Sequence, residues 1–116
     1  MATKILTNNE ILVVLDFLKE KVEGIFKIGI TGSYADNTET IKSDLDIVVD
    51  IRRDCIGDFW EVAEEVRSFI IDEFMLPIDF IFYHDIKRKL EKEIVSNCDN
   101  VEVEMYKEML EKVVWR

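Results

Sequence analysis

Hydrophobic positions along the chain change their period several times, and each change marks an element. From Ile11, apolar residues recur at Leu12, Leu15, Leu18 and Val22, the spacing of one helix face. Thr7 and Glu10 have the spacing of a capping box, with Leu6 and Ile11 flanking them as a hydrophobic staple. Gly24 is a natural stop. Ile25 to Thr31 reads as a strand through the β-branched Ile28 and Ile30, and Gly32-Ser33 ends it. After a short polar stretch, Leu45 to Ile51 reads as a second strand. Its unbroken apolar run, Ile47 to Val49, marks a central strand covered on both faces.

Asp58 and Glu61 repeat the capping spacing and open a helix carrying Phe59, Val62, Val66, Phe69 and Ile70, which Pro77 forbids from continuing. Ile78 to Tyr83 reads as a third strand, and Asp85 is placed to cap a helix through Ile86, Leu90 and Ile94. Cys98 to Asn100 reads as a loop. Val101 to Glu104 alternates like a short strand, but Met105 to Trp115 reads alternatively as a terminal helix, so strand against helix over 101–115 is left open. These elements predict an α/β (α+β) fold, a small mixed β-sheet of three to four strands with helices packed on it.

Length and charge narrow the function. The 116 residues fit one domain, 1–116, with no repeat or low-complexity tract. Lys and Arg total 15 against 25 acids, a net charge of −10. That balance argues against non-specific binding to duplex nucleic acid and against docking on anionic membrane surfaces. No apolar run approaches the ~20 residues of a membrane helix. Met1 to Thr7 lacks a basic start followed by an apolar stretch, so no secretory signal is expected and the cytoplasm is the expected compartment. Cys55 and Cys98, far apart and outside any C-x-x-C pattern, read as inert thiols.

Negative charge is densest from Tyr34 to Asp50, where Lys42 stands against Asp36, Glu39, Asp44, Asp46 and Asp50. Asp44 and Asp46, two apart at a strand entry, point to one face while Leu45 points to the other. At ~4 Å and an effective dielectric of ~20 their repulsion is about 4 kcal/mol, a term that a divalent cation reverses. Oxygen ligands with no His or Cys nearby suit Mg²⁺ or Mn²⁺. Asp79 interrupts the apolar run Ile78 to Phe82. On a neighbouring strand it joins the other two, and three carboxylates can hold one or two metal ions for phosphoryl transfer. Gly32 permits close backbone approach to a ligand, and Ser33 offers a hydroxyl to a phosphate.

In order, Gly32-Ser33, Ser43-Asp44-Leu45-Asp46-Ile47 and Asp79 resemble the G-S…D-x-D…D pattern of the polymerase-β nucleotidyltransferase superfamily. The small size resembles its minimal nucleotidyltransferase branch. The resemblance runs from about Lys27 to Tyr83 and implies a palm-like sheet. It implies that Asp44, Asp46 and Asp79 are metal ligands and catalytic residues, with Asp79 also a general base. It further implies that Gly32 and Ser33 meet the phosphates of ATP or another NTP. The implied reaction moves a nucleoside monophosphate, AMP from ATP, onto a hydroxyl. Minimal members often accompany a HEPN-type protein, so the implied role is antitoxin to such a partner.

The pattern commonly reads G-S-x-A-R-G. Here Ala35 matches, while Asp36 takes the Arg position and Asn37 the Gly position. Lys42, in the same loop, is the candidate replacement cation. A catalytically silent module that grips a partner protein is the competing reading, and a stand-alone transferase acting on a small hydroxylated molecule is the third. Homo-oligomer formation is left open. Among the other residues, His84 reads as a loop residue, Arg52 and Arg53 as a solvated pair, and Lys87, Arg88, Lys89 and Lys92 as an exposed helix face. Trp60 and Trp115 read as core or interface.

Overall fold

The computed structural model describes residues 2–95 and 101–116. Helix α1 (Asn8–Lys21) starts on the expected capping box. The Thr7 hydroxyl accepts the Glu10 amide at 3.2 Å, and the Glu10 carboxylate accepts the Thr7 amide at 3.0 Å. Leu6 and Ile11 of the staple are both buried in the same core. Strands β1 (Ile25–Thr31) and β2 (Leu45–Ile51) pair antiparallel, as their alternating patterns allow. Between them lies the tight turn Gly32–Tyr34 and a polar loop.

Helix α2 (Ile56–Phe74) carries the chain over to β3 (Ile78–Phe82), which runs parallel to β2. A parallel pair cannot be joined by a hairpin, so this long helix is the crossover that the register requires. Helices α3 (Tyr83–Val95) and α4 (Val101–Glu111) follow, and then the two-residue strand β4 (Val114–Trp115). Among the described residues the sheet has four strands in the order β3-β2-β1-β4, with β4 antiparallel to β1.

The sheet separates two layers of helices. Leu45, Ile47 and Val49 of β2 join Ile28 and Ile30 of β1, Ile78 of β3, and the inner faces of α1 and α2 in one apolar core. Val48, on the alternate face, is also fully buried, which fits the expected central strand. On that second face Ile81 of β3 packs with Ile86 and Leu90 of α3 and with Tyr106, Met109 and Leu110 of α4. No helix among the described residues is long and apolar enough to cross a membrane.

Several boundaries differ from expectation. Helix α2 begins at Ile56, directly after a tight turn over Arg53–Cys55, so Asp58 sits in its first turn and complements the helix dipole instead of capping. Phe69 is 60% exposed; the buried side of α2 is Phe59, Ala63 and Ile70. Likewise α3 starts at Tyr83, two residues before Asp85. Of the two readings left open over 101–115 the helix forms: Val101 to Glu104 is the first turn of α4, and that helix ends at Glu111 rather than running through Trp115. Four alternating residues cannot outweigh the helical spacing of Tyr106, Met109 and Leu110, which buries them against α3. The expected loop from Cys98 to Asn100, and Cys98 itself, lie outside the described residues. Cys55 is a buried free thiol.

Both tryptophans pack against other aromatic rings. Trp60 packs edge-on against Phe59, Phe80 and Phe82 with ring centroids 5.6–5.9 Å apart. Trp115 meets Tyr83 edge-on at 5.5 Å, and the Lys27 ammonium lies 4.3 Å from the Trp115 ring. Beside it, Gly29 makes β4 possible. A Cβ there would fall 2.4 Å from the Val114 carbonyl oxygen, so only glycine admits that backbone.

Candidate active site

The alternation of β2 that sends Leu45, Ile47 and Val49 into the apolar core turns Asp46 toward the second face of the sheet. The registers then assemble its neighbours. Asp46 is the direct partner of Asp79 on parallel β3 and of Thr31 on antiparallel β1. Register partners share a face, so Asp46 and Asp79 stand side by side on the edge that the sequence pattern indicated. Asp44 precedes the first residue of β2 and is exposed at the strand entry.

Electrostatics agree with this proximity. The Asp46 carboxyl is pushed up to about 6 from an ordinary value of 3.8. Burial is the largest cause, followed by the charges of Asp79 and Asp44 and a hydrogen bond shared with Asp79. A half-buried acid crowded by two others is under-compensated, the condition that a cation relieves. Among the described residues no three His, Cys, Asp or Glu side chains come together in a group that could hold a metal ion. The all-oxygen pair Asp46–Asp79, with Asp44 nearby, nevertheless fits Mg²⁺. That ion keeps several waters and uses one or two carboxylates together with substrate phosphates.

The turn after β1 completes the setting. Gly32 has φ +72, and a Cβ on it would sit 2.6 Å from Asp46 Oδ2. Any side chain here would strain the turn and strike the carboxylate. Tyr34, buried, accepts the Leu6 amide on its hydroxyl at 3.4 Å and anchors the turn to the chain ahead of α1. Ser33 lies half-buried within the turn. Thr31, only 1% exposed, donates its hydroxyl to the Met109 carbonyl at 2.8 Å, which fastens the last turn of α4 to the end of β1. A cleft of about 180 Å³ results, lined by Thr31, Gly32, Asp46, Met105, Glu108, Met109 and Lys112.

The remaining sequence candidates fall as follows. Lys42 is exposed on the loop before β2, its amide bonded to the Thr40 hydroxyl, and it does not line the cleft. Asp36 turns toward α4. Its carboxylate pairs with the Lys112 ammonium at 3.3 Å and accepts the Thr38 hydroxyl. These partners, Thr38 first and then Lys112, hold the Asp36 carboxyl below the usual range. Lys112 was not legible as a site residue, because its one local signal is the Glu108 spacing of an ordinary helix pair. Arg52 closes an exposed ion pair with Asp54, and His84 is exposed at the other end of the parallel strands.

No curated protein and no solved structure matches the chain. Residues 11–101, however, match the family described as "Nucleotidyltransferase domain". That stretch runs from α1 into α4 and contains Gly32, Ser33, Asp44, Asp46 and Asp79. The family generally uses an NTP and a divalent metal. With the acid pair on neighbouring parallel strands and the glycine turn beside it, the chain belongs to the nucleotidyltransferase-domain family of the polymerase-β superfamily.

Proposed function

We propose that this protein is a Mg²⁺-dependent nucleotidyltransferase that moves AMP from ATP to a hydroxyl of a partner protein. The observation that carries the reading is the side-by-side pair Asp46–Asp79 against the Gly32 turn, within a chain matching the family over 11–101. In this reading Asp44, Asp46 and Asp79 hold Mg²⁺, which when bound neutralises charge developing on the phosphoryl oxygens. The backbone of Gly32 and the hydroxyl of Ser33 bind the phosphates. The acceptor hydroxyl oxygen attacks the α-phosphorus, the bond to the bridging α–β oxygen breaks, and pyrophosphate leaves. Asp79, the exposed member of the pair, accepts the proton of the attacking hydroxyl. The partner assignment, a HEPN-type protein restrained by the modification in a toxin–antitoxin pair, rests on the resemblance to minimal nucleotidyltransferases.

One observation favours a second reading, a silent module that binds its partner without chemistry. Helix α4 leans over the Asp46 face, and its Met105 and Met109 line the cleft. A single experiment separates the two. The protein is incubated with α-labelled ATP, Mg²⁺ and the product of the adjacent reading frame. Label transfer that falls about a thousandfold in Asp46→Asn and in Asp44→Asn is the expected result. A tight complex with no transfer, indifferent to both substitutions, supports the silent module instead.

A further inference from the structure

An acid at position 36, where the resembled pattern carries an arginine, leaves a polyphosphate site short of positive charge. The fold supplies one from elsewhere. Lys112 is the sole basic side chain among the described residues lining the cleft beside Gly32 and Asp46. It stands just beyond the last turn of α4, three residues after Met109, whose carbonyl is fixed to buried Thr31. Its backbone is therefore tethered to the end of β1. Its ammonium lies 3.3 Å from Asp36 and 3.5 Å from Glu108.

We propose that Lys112 binds the phosphates of the nucleoside triphosphate, delivering from α4 the charge that the Gly32–Asn37 segment lacks, and that Asp36 is a positioning residue that aims it. This rests on the reading of the cleft as a nucleotide site. An ammonium has three donors, and two carboxylates leave at least one free. Both partner carboxylates are solvent-exposed, so exchanging one of them for a phosphate oxygen costs little. Apart from Lys112, the charged side chains lining the cleft, Asp46 and Glu108, are both acidic. The structure thus gives the acid at position 36 a purpose: it is half of an ion pair that ties the segment after Gly32 to the end of α4.

The test is calorimetric titration of Mg·ATP and of AMP into the intact protein and its variants, with thermal melts as a folding control. Lys112→Met is expected to weaken ATP binding about tenfold and AMP binding far less, since a charge-assisted contact to the outer phosphates is removed. Lys112→Arg is expected to keep the wild-type affinity within about threefold. Asp36→Asn breaks the same ion pair but leaves the ammonium, so its loss is expected to be smaller than that of Lys112→Met. Equal losses in those two variants would mark Lys112 as a mere strap for α4 and overturn the proposal. So would wild-type ATP affinity in Lys112→Met, or a loss that follows Lys42→Met instead. If wild-type protein binds no Mg·ATP, or if Asp46→Asn binds it unchanged, the nucleotide reading itself falls and takes this inference with it. ATP binding lost in Asp46→Asn but intact in Lys112→Met sinks this inference alone.

Discussion

The two faces of strand β2 are built from alternating residues of one seven-residue stretch, yet they do opposite work. On the α1/α2 face, Leu45, Ile47 and Val49 are fully buried among aliphatic and aromatic side chains. On the α3/α4 face the same strand presents Asp46, pressed against Asp79 and half out of water. The first face supplies burial free energy, and the second uses that rigidity to hold two like charges together. Asp46 is costly where it stands, because its carboxyl is displaced upward by burial and by Asp79. Strand alternation alone lets a single short segment anchor the fold and carry the candidate chemistry.

This contrast can be broken from either side. The largest stability effect is expected on the apolar face. Ile47→Ala removes a fully buried side chain beneath both helices and should cost about 3 kcal/mol in urea unfolding, with no change in nucleotide affinity for the molecules that remain folded. A smaller loss, about 1–3 kcal/mol, is expected from Gly29→Ala on the opposite face. Its new methyl would meet the Val114 carbonyl and push β4 off β1. Unlike Ile47→Ala, it should also weaken nucleotide binding, because β4 begins two residues after Lys112 and its displacement moves that wall of the cleft.

The smallest change should have the opposite sign. With its folded carboxyl raised to about 6, Asp46 holds a proton in the native state that the unfolded chain has already released. Stability therefore falls as pH rises from about 4 to 6, and the full penalty persists above that window. In metal-free buffer, Asp46→Asn should raise stability by about 1–2 kcal/mol at pH 7, with the gain fading toward pH 4. Melting curves across this range check it. A variant less stable than wild type at pH 7 would show that the carboxylate is not strained.

Much of this architecture was legible because its signals are local. The Thr7–Glu10 box and the Ile47–Val49 run each lie within a few residues, and both formed as written. The pairing of Asp46 with Asp79 was readable once the alternation of β2 was recognised, whereas Asp44 precedes the strand and is exposed. What escaped depends on contacts between distant segments. Asp36 and Lys112 are 76 positions apart, and nothing near either one announces the other. Val101 to Glu104 stayed ambiguous because four residues of alternation fit a strand and the first turn of an amphipathic helix equally. Only the burial of Tyr106, Met109 and Leu110 on α3 decides between them. Asp58 and Asp85 misled for a subtler reason, since an acid favours the first turn of a helix as well as its cap.

The bond from Thr31 to Met109 spans 78 positions, so the hollow beside Asp46 is absent until residues far along the polypeptide have docked. Strands β1, β2 and β3, which bring Asp46 and Asp79 together, all precede Met105, Met109 and Lys112 along the chain. The wall that closes over the acid pair is thus the last part of the cleft in chain order, and it brings a balancing cation with it.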